Sequence, residues 1–208
     1  MNRTGLRTRI LAGLLAPLLT GVGCAALQPG DAPDCPVVPV ASHELPRPLL
    51  LRTRLSLAAR EHELRIESVA QTSDGGLVVV GFAPHGVRLF ALQQRGRKLE
   101  AESLAAEELA MPALWTADLL HRVYWIQSPQ PAAPDGPTRW FREGEQVTEW
   151  RAAGRLVRRE FAVAEGGSGA SERVTIEYPG SGPRDTGSAI TVRNPWCGYQ
   201  AVVVTLDD

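Results

Sequence analysis

No apolar run in this 208-residue sequence is long enough to cross a bilayer. The run from Ile10 to Leu19 (ILAGLLAPLL) falls short of the ~20 residues a spanning helix needs, which argues against a permanent transmembrane segment. Positive charge is not in excess either. Lys and Arg number 22 against 23 Asp and Glu, and without a basic patch or stripe no nucleic-acid partner is expected. His43, His62, His85 and His121 are scattered and lack the close ligand spacing of a zinc site, so neither metal nor cofactor is expected. They are read as surface or partly buried side chains. The segment Gly166 to Ser171 (GGSGAS) lacks both the full G-x-S-x-G pattern and the strand-to-helix context of a nucleophile loop. It has no lysine after its glycines and no helix to present to a phosphate. With no constellation of acid, base and nucleophile, an enzyme is not expected.

The N-terminus has the layout of an export signal: Arg3, Arg7 and Arg9 form a basic start, and the apolar run follows. Residues 1–23 are expected to be removed. Their loss takes away three arginines, leaving 19 basic against 23 acidic side chains, a formal charge of −4 on the mature chain. The small residues Thr20-Gly-Val-Gly stand directly before Cys24. This resembles the lipobox of bacterial lipoproteins, in which the thiol is lipidated before cleavage. Gly21 stands where that motif usually has an aliphatic residue, so ordinary signal-peptidase cleavage is the alternative. Lipid on Cys24 makes a lasting membrane anchor, because each buried methylene contributes about 0.8 kcal/mol and two or three acyl chains hold where one does not. Ala25 is not the Asp that signals inner-membrane retention in proteobacterial lipoproteins, and by that resemblance the anchor lies in the outer membrane, at its periplasmic face. Cys35 and Cys197 are then left as candidates for a disulfide in an oxidising compartment. Such a long closed loop contributes about 5 kcal/mol on the chain-entropy model. Two separate thiols are the other reading.

Residues 24–48 are rich in Pro, Asp, Ala and Ser without helical period, and read as a stiff tether behind the lipidated cysteine. Residues 49–208 read as one β-rich domain. Leu51 to Leu57 and Glu63 to Val69 alternate apolar and polar residues, the period of a half-buried strand. Ser73-Asp-Gly-Gly76 supplies a hairpin turn, and the strand pattern continues over 77–83, 87–92 and 98–103. It resumes over 138–142, 146–150, 155–163, 173–178, 189–193 and 199–205. Between the two series, Met111 to Gln127 places Trp115, Leu119, Leu120, Val123 and Tyr124 at helical spacing, with Asp118 and Arg122 paired at i, i+4. The expected fold is mainly β: an open antiparallel half-barrel of about ten strands, with one amphipathic helix covering its concave face.

The segments RLFALQQRGRKLEAESL, MPALWTADLLHRVYWI and ITVRNPWCGYQAVVVT occur in this order. In this respect the chain resembles a bacterial lipoprotein family encoded with aryl-polyene pigment biosynthesis. Members of that family look like the LolA/LolB lipoprotein-sorting proteins, whose fold is an open antiparallel half-barrel closed by helices over an apolar cavity. The resemblance covers roughly Leu51 to Thr205 and implies binding or transfer of a lipidic molecule, such as lipoprotein acyl chains or a polyene lipid, at the outer membrane. It brings no catalytic motif.

Ligand sites are mostly apolar with a few polar groups, and alternation directs Leu77, Val79 and Leu89 to one face, where the helix carrying Leu120 and Tyr124 covers them. Trp115 and Trp140 are added as candidates to line the same apolar pocket, with ordinary core packing as the competing reading. Arg88 and Arg122 are candidates for meeting a lipid head group at its rim. A non-catalytic scaffold that binds another envelope protein through an exposed sheet edge is the alternative function.

Overall fold

The alternation that begins at Leu51 folds into strand. In the computed structural model, residues 39–59, 62–73, 76–103, 110–130, 134–163, 173–180 and 182–207 are described. The export signal, Cys24, Cys35 and the glycine-rich 166–171 segment lie outside them.

Among the described residues, eleven antiparallel strands form one sheet. The first five are β1 (Leu50–Ala59), β2 (His62–Ser73), β3 (Gly76–Phe82), β4 (Arg88–Arg95) and β5 (Lys98–Ser103). The others are β6 (Gly136–Arg142), β7 (Glu145–Ala152), β8 (Arg155–Val163), β9 (Arg173–Glu177), β10 (Ala189–Asn194) and β11 (Tyr199–Thr205). The spatial order is β5-β4-β3-β2-β1-β11-β10-β9-β8-β7-β6. Two meanders thus meet at a seam between the first strand and the last, where Leu55 lies opposite Val203 and Leu57 opposite Ala201. Both seam strands alternate as a half-buried strand must. Leu51, Thr53, Leu55 and Leu57 are buried from β1, and Tyr199, Ala201, Val203 and Thr205 from β11.

The sheet does not close, and β5 and β6, consecutive in the chain, stand at opposite edges. The helix α1 (Ala110–Leu120) belongs to the connection between them and packs on β4 and β5. It runs on into a wider final turn, His121–Trp125, closed by the Ile126 N–H donating to the His121 carbonyl at 2.9 Å. Bonds from its far end reach the other half of the sheet: the Tyr124 hydroxyl meets that of Thr205 at 2.9 Å, and the Tyr178 hydroxyl donates to the Val123 carbonyl at 3.3 Å. The helix is one-faced only in expectation. Every residue from Thr116 to Ile126 is buried, polar ones included, because the sheet curls around the helix rather than lying under it. A helix enclosed on all sides is core, not cover. No described helix is long and apolar enough to cross a membrane.

The domain also starts earlier than its strand pattern. Val40, Ala41, Leu45 and Leu49 are buried against the sheet, although the prolines around them suggest tether. Ser42 exchanges two bonds with Gly96 in the β4–β5 turn, donating its N–H to the Gly96 carbonyl at 2.8 Å and accepting the Gly96 N–H on its hydroxyl at 2.9 Å.

Candidate functional site

The enclosed helix carries charge into the core. Arg122, 2% exposed, shares its Nε–H between the two Asp118 carboxylate oxygens at 2.9 and 3.0 Å and lies bidentate on Glu145 of β7 through its two terminal nitrogens at 2.9 and 3.2 Å. Its guanidinium also stacks over the Phe161 ring, 4.6 Å from the centroid. Burial works against the cation, but the Asp118 and Glu145 carboxylates raise its pKa further and keep it charged. Two acids share this one cation, and burial holds the Asp118 carboxyl above its ordinary range despite Arg122. A second ion pair lies beside the first, Arg159 of β8 on Glu149 of β7 at 2.6 and 2.8 Å, and Arg159 also donates to the Arg122 carbonyl at 2.8 Å.

His121, the next residue back, joins three elements. Its Nδ1 accepts the Val40 N–H at 3.1 Å, which leaves Nε2 to donate to the Gln94 Oε1 at 2.9 Å. Gln94 in turn donates to the carbonyls of Val40 and Gly96 at 2.6 and 2.8 Å. This arrangement needs a neutral imidazole. Burial, with Arg142 and Arg122 nearby, lowers the His121 pKa to about 3. His43 and His85 are exposed as expected, whereas His121 is wholly interior. Among the described residues no group of His, Cys, Asp and Glu is placed to hold a metal ion.

Where the helix ends, a cleft of about 540 Å³ opens to solvent. Its apolar floor is Val123, Tyr124, Ile126 and Leu156, and its walls come from the β7–β8 hairpin and the 182–185 loop. Four arginines line it, Arg151, Arg155, Arg159 and Arg184, against two carboxylates, Glu149 and Asp185. Arg159 is committed to Glu149, and Arg151 stands 3.5 Å from the same acid with its Nε buried and unpartnered. Arg155 and Arg184 have no ion-pair partner among the described residues and are exposed. The hairpin turn is set by Ala153 and Gly154, both at positive φ, whose N–H groups donate to Asp135 at 2.8 Å each. Those two bonds lower the Asp135 pKa.

A family model of proteins of unknown function, DUF3261, matches residues 51–207. The chain belongs to this family. Comparison with curated proteins finds no match. The DUF3261 match takes in all the strands except the first residue of β1, as well as the helix and the arginine-lined cleft. The Val40–Leu49 latch lies N-terminal to it.

Within the DUF3261 domain the residues expected to line an apolar pocket are placed differently. Leu77, Val79 and Leu120 are at most 1% exposed and pack in the core, so the helix's own side chains fill the concavity assigned to a ligand. Leu89 falls at a β-bulge. Phe90 and Leu92, not Leu89, share the inner face with Val79, and Gly81 lies beneath the Phe90 ring, where a Cβ would strike it. Trp115 is partly buried, its ring 5.4 Å from that of Tyr199, and Trp140 is partly buried on β6. Only Tyr124 of the seven also lines the cleft. Arg88 is exposed on β4, and Arg122 is not at a rim but in the core, because Asp118 and Glu145 neutralise it there. The cleft arginines went unnoticed in the sequence; the cluster Arg155-Leu-Val-Arg-Arg is their one local signal.

Cys197 is disulfide-bonded, and its N–H donates to the Asn194 side chain at 3.0 Å in the turn before β11. We expect a non-reducing peptide map to recover the Cys197 peptide joined to that of Cys35. A Cys24–Cys197 peptide would refute this pairing and the lipidation of Cys24 together.

Proposed function

We propose that the protein is a non-catalytic, lipid-anchored protein of the outer membrane's periplasmic face that binds or passes on a lipidic molecule, lipoprotein acyl chains or a polyene lipid. The observation that carries this reading is the cleft at the mouth of an unclosed half-barrel, an apolar floor ringed by polar side chains. The N-terminal pattern ending in Cys24 and the resemblance to the aryl-polyene and LolA/LolB lipoproteins support it. Cargo meets the cleft rather than the concavity, which is occupied by Leu119, Leu120 and their neighbours.

The test is native mass spectrometry of the mature protein with Cys24→Ser, purified gently from the envelope, before and after organic extraction. A removable lipid-sized mass is expected. A bare protein mass that persists after incubation with envelope lipids would refute the carrier reading and favour a scaffold.

One feature favours that scaffold reading specifically. The edge strand β6 presents Phe141 at 70% exposure on a strand edge that pairs with no other described strand, the arrangement that accepts a strand from another envelope protein.

A further inference from the structure

We infer that the cleft recognises the phosphate of an anionic amphiphile through Arg155 and Arg184, with the apolar part of the ligand lying in an adjoining groove against Leu50 and Leu206. The inference rests on the lipid-binding reading and specifies its chemistry.

Arginine presents a planar fork of donors that suits the oxygens of a phosphate. Of the four cleft arginines, Arg159 is held by Glu149, and Arg151 leans on the same acid. Arg155 and Arg184 are the two with no ion-pair partner among the described residues, and they reach the cleft from different sides, the hairpin and the 182–185 loop. The other acid in the lining, Asp185, accepts the Ser188 hydroxyl at 2.8 Å. The cleft therefore has a surplus of positive charge on a chain whose mature form is net negative.

The second observation is independent of charge. Arg184 also lines a neighbouring groove of about 240 Å³, where Leu50 and Leu206 stand over the buried Leu49 and Leu51, with Arg52, Thr186, Thr205 and Asp207 completing the lining. Leu50 is 52% exposed there and offers apolar surface to a ligand. An arginine standing between a cationic cleft and the exposed Leu50 side chain matches a molecule with an acidic head and an apolar tail. Free phosphate satisfies only the first half of the site.

The experiment uses the full mature chain with Cys24→Ser, so that no acyl anchor confuses the readout, and an Arg155→Gln/Arg184→Gln variant. Both positions are exposed, and matching thermal unfolding checks that the fold is kept. Binding is measured by calorimetry to monomeric dihexanoyl phosphatidic acid, to dihexanoylglycerol of the same tails without phosphate, and to inorganic phosphate. Wild type should bind the phosphatidic acid about tenfold or more tighter than either fragment, and the double variant should lose about tenfold or more of that affinity, as loss of charged hydrogen bonds to phosphate implies. Equal binding of the two lipids, or an unaffected double variant, overturns the headgroup inference while leaving lipid binding intact. Phosphate bound as tightly as the lipid makes the cleft a simple anion site and overturns the tail assignment. Absence of binding to any of the three overturns both this inference and the reading beneath it.

Discussion

Arg122→Met should destabilise the protein by about 3–5 kcal/mol, because it removes the cation that the buried carboxylates of Asp118 and Glu145 share. Methionine fills much the same volume, so the loss measures charge rather than a cavity. Asp118 and Glu145 would face each other across the gap with no compensating cation, each 2.9 Å from where the guanidinium stood, and only the Tyr199 hydroxyl, 3.5 Å away, would still donate to Asp118. Adding Asp118→Asn and Glu145→Gln to Arg122→Met should recover part of the loss, since buried ion clusters replaced as a unit are often nearly neutral. Urea unfolding of the three proteins checks this. A single variant as stable as wild type would mean that water or an altered helix relieves the charge, and the helix would not be pinned as described.

The protein should also lose stability in mild acid through His121 alone. The sign follows from its two states. Unfolded, the imidazole takes a proton below its ordinary value of 6.5; folded, it refuses one until about 3. Between those values the unfolded chain binds the extra proton, so stability is whole above 6.5 and drains away as pH falls towards 3. At about 1.4 kcal/mol per unit, the loss by roughly pH 4 is about 3 kcal/mol. The structure supplies the cause independently: a proton on Nδ1 would break the bond from the Val40 N–H and put a charge beside Arg122 and Arg142. His121→Gln can accept from Val40 and donate to Gln94 without titrating. Its unfolding free energy should therefore fall less with pH than that of wild type, by about the same 3 kcal/mol between about pH 7 and pH 4. Parallel pH profiles for the two proteins would remove His121 from the acid response.

Strand content was legible because burial on one face writes itself as alternation, and the sequence ranges match the observed strands to within a few residues. Strand order was partly legible, since short Gly-containing turns force neighbours in sequence to be neighbours in space. The helix was found, but its surroundings were not. His121 and Arg122 look like solvent-facing residues because their partners, Val40 and Gln94 for the first and Glu145 for the second, lie far away in the chain. Local pattern cannot tell a satisfied polar group from a solvated one. The same limit hid the cleft, whose arginines come from two strands and a loop brought together only by the sheet's curl. The latch at Val40 to Leu49 was hidden by composition, because prolines that suggest an extended tether also suit a chain pinned along a sheet.

The seam between β1 and β11 has a consequence for how the protein comes into being. Each meander is built from hairpins and can form as soon as its own residues are available, whereas the seam joins the first strand made to the last. From the moment β1 and β2 pair, the other edge of β1 stays open until the chain is complete, with Leu51, Leu55 and Leu57 uncovered on its inner face. That interval is when the chain can pair with a second copy instead of with itself. Delayed or truncated synthesis near the C-terminus should therefore appear as aggregation rather than as a smaller folded domain.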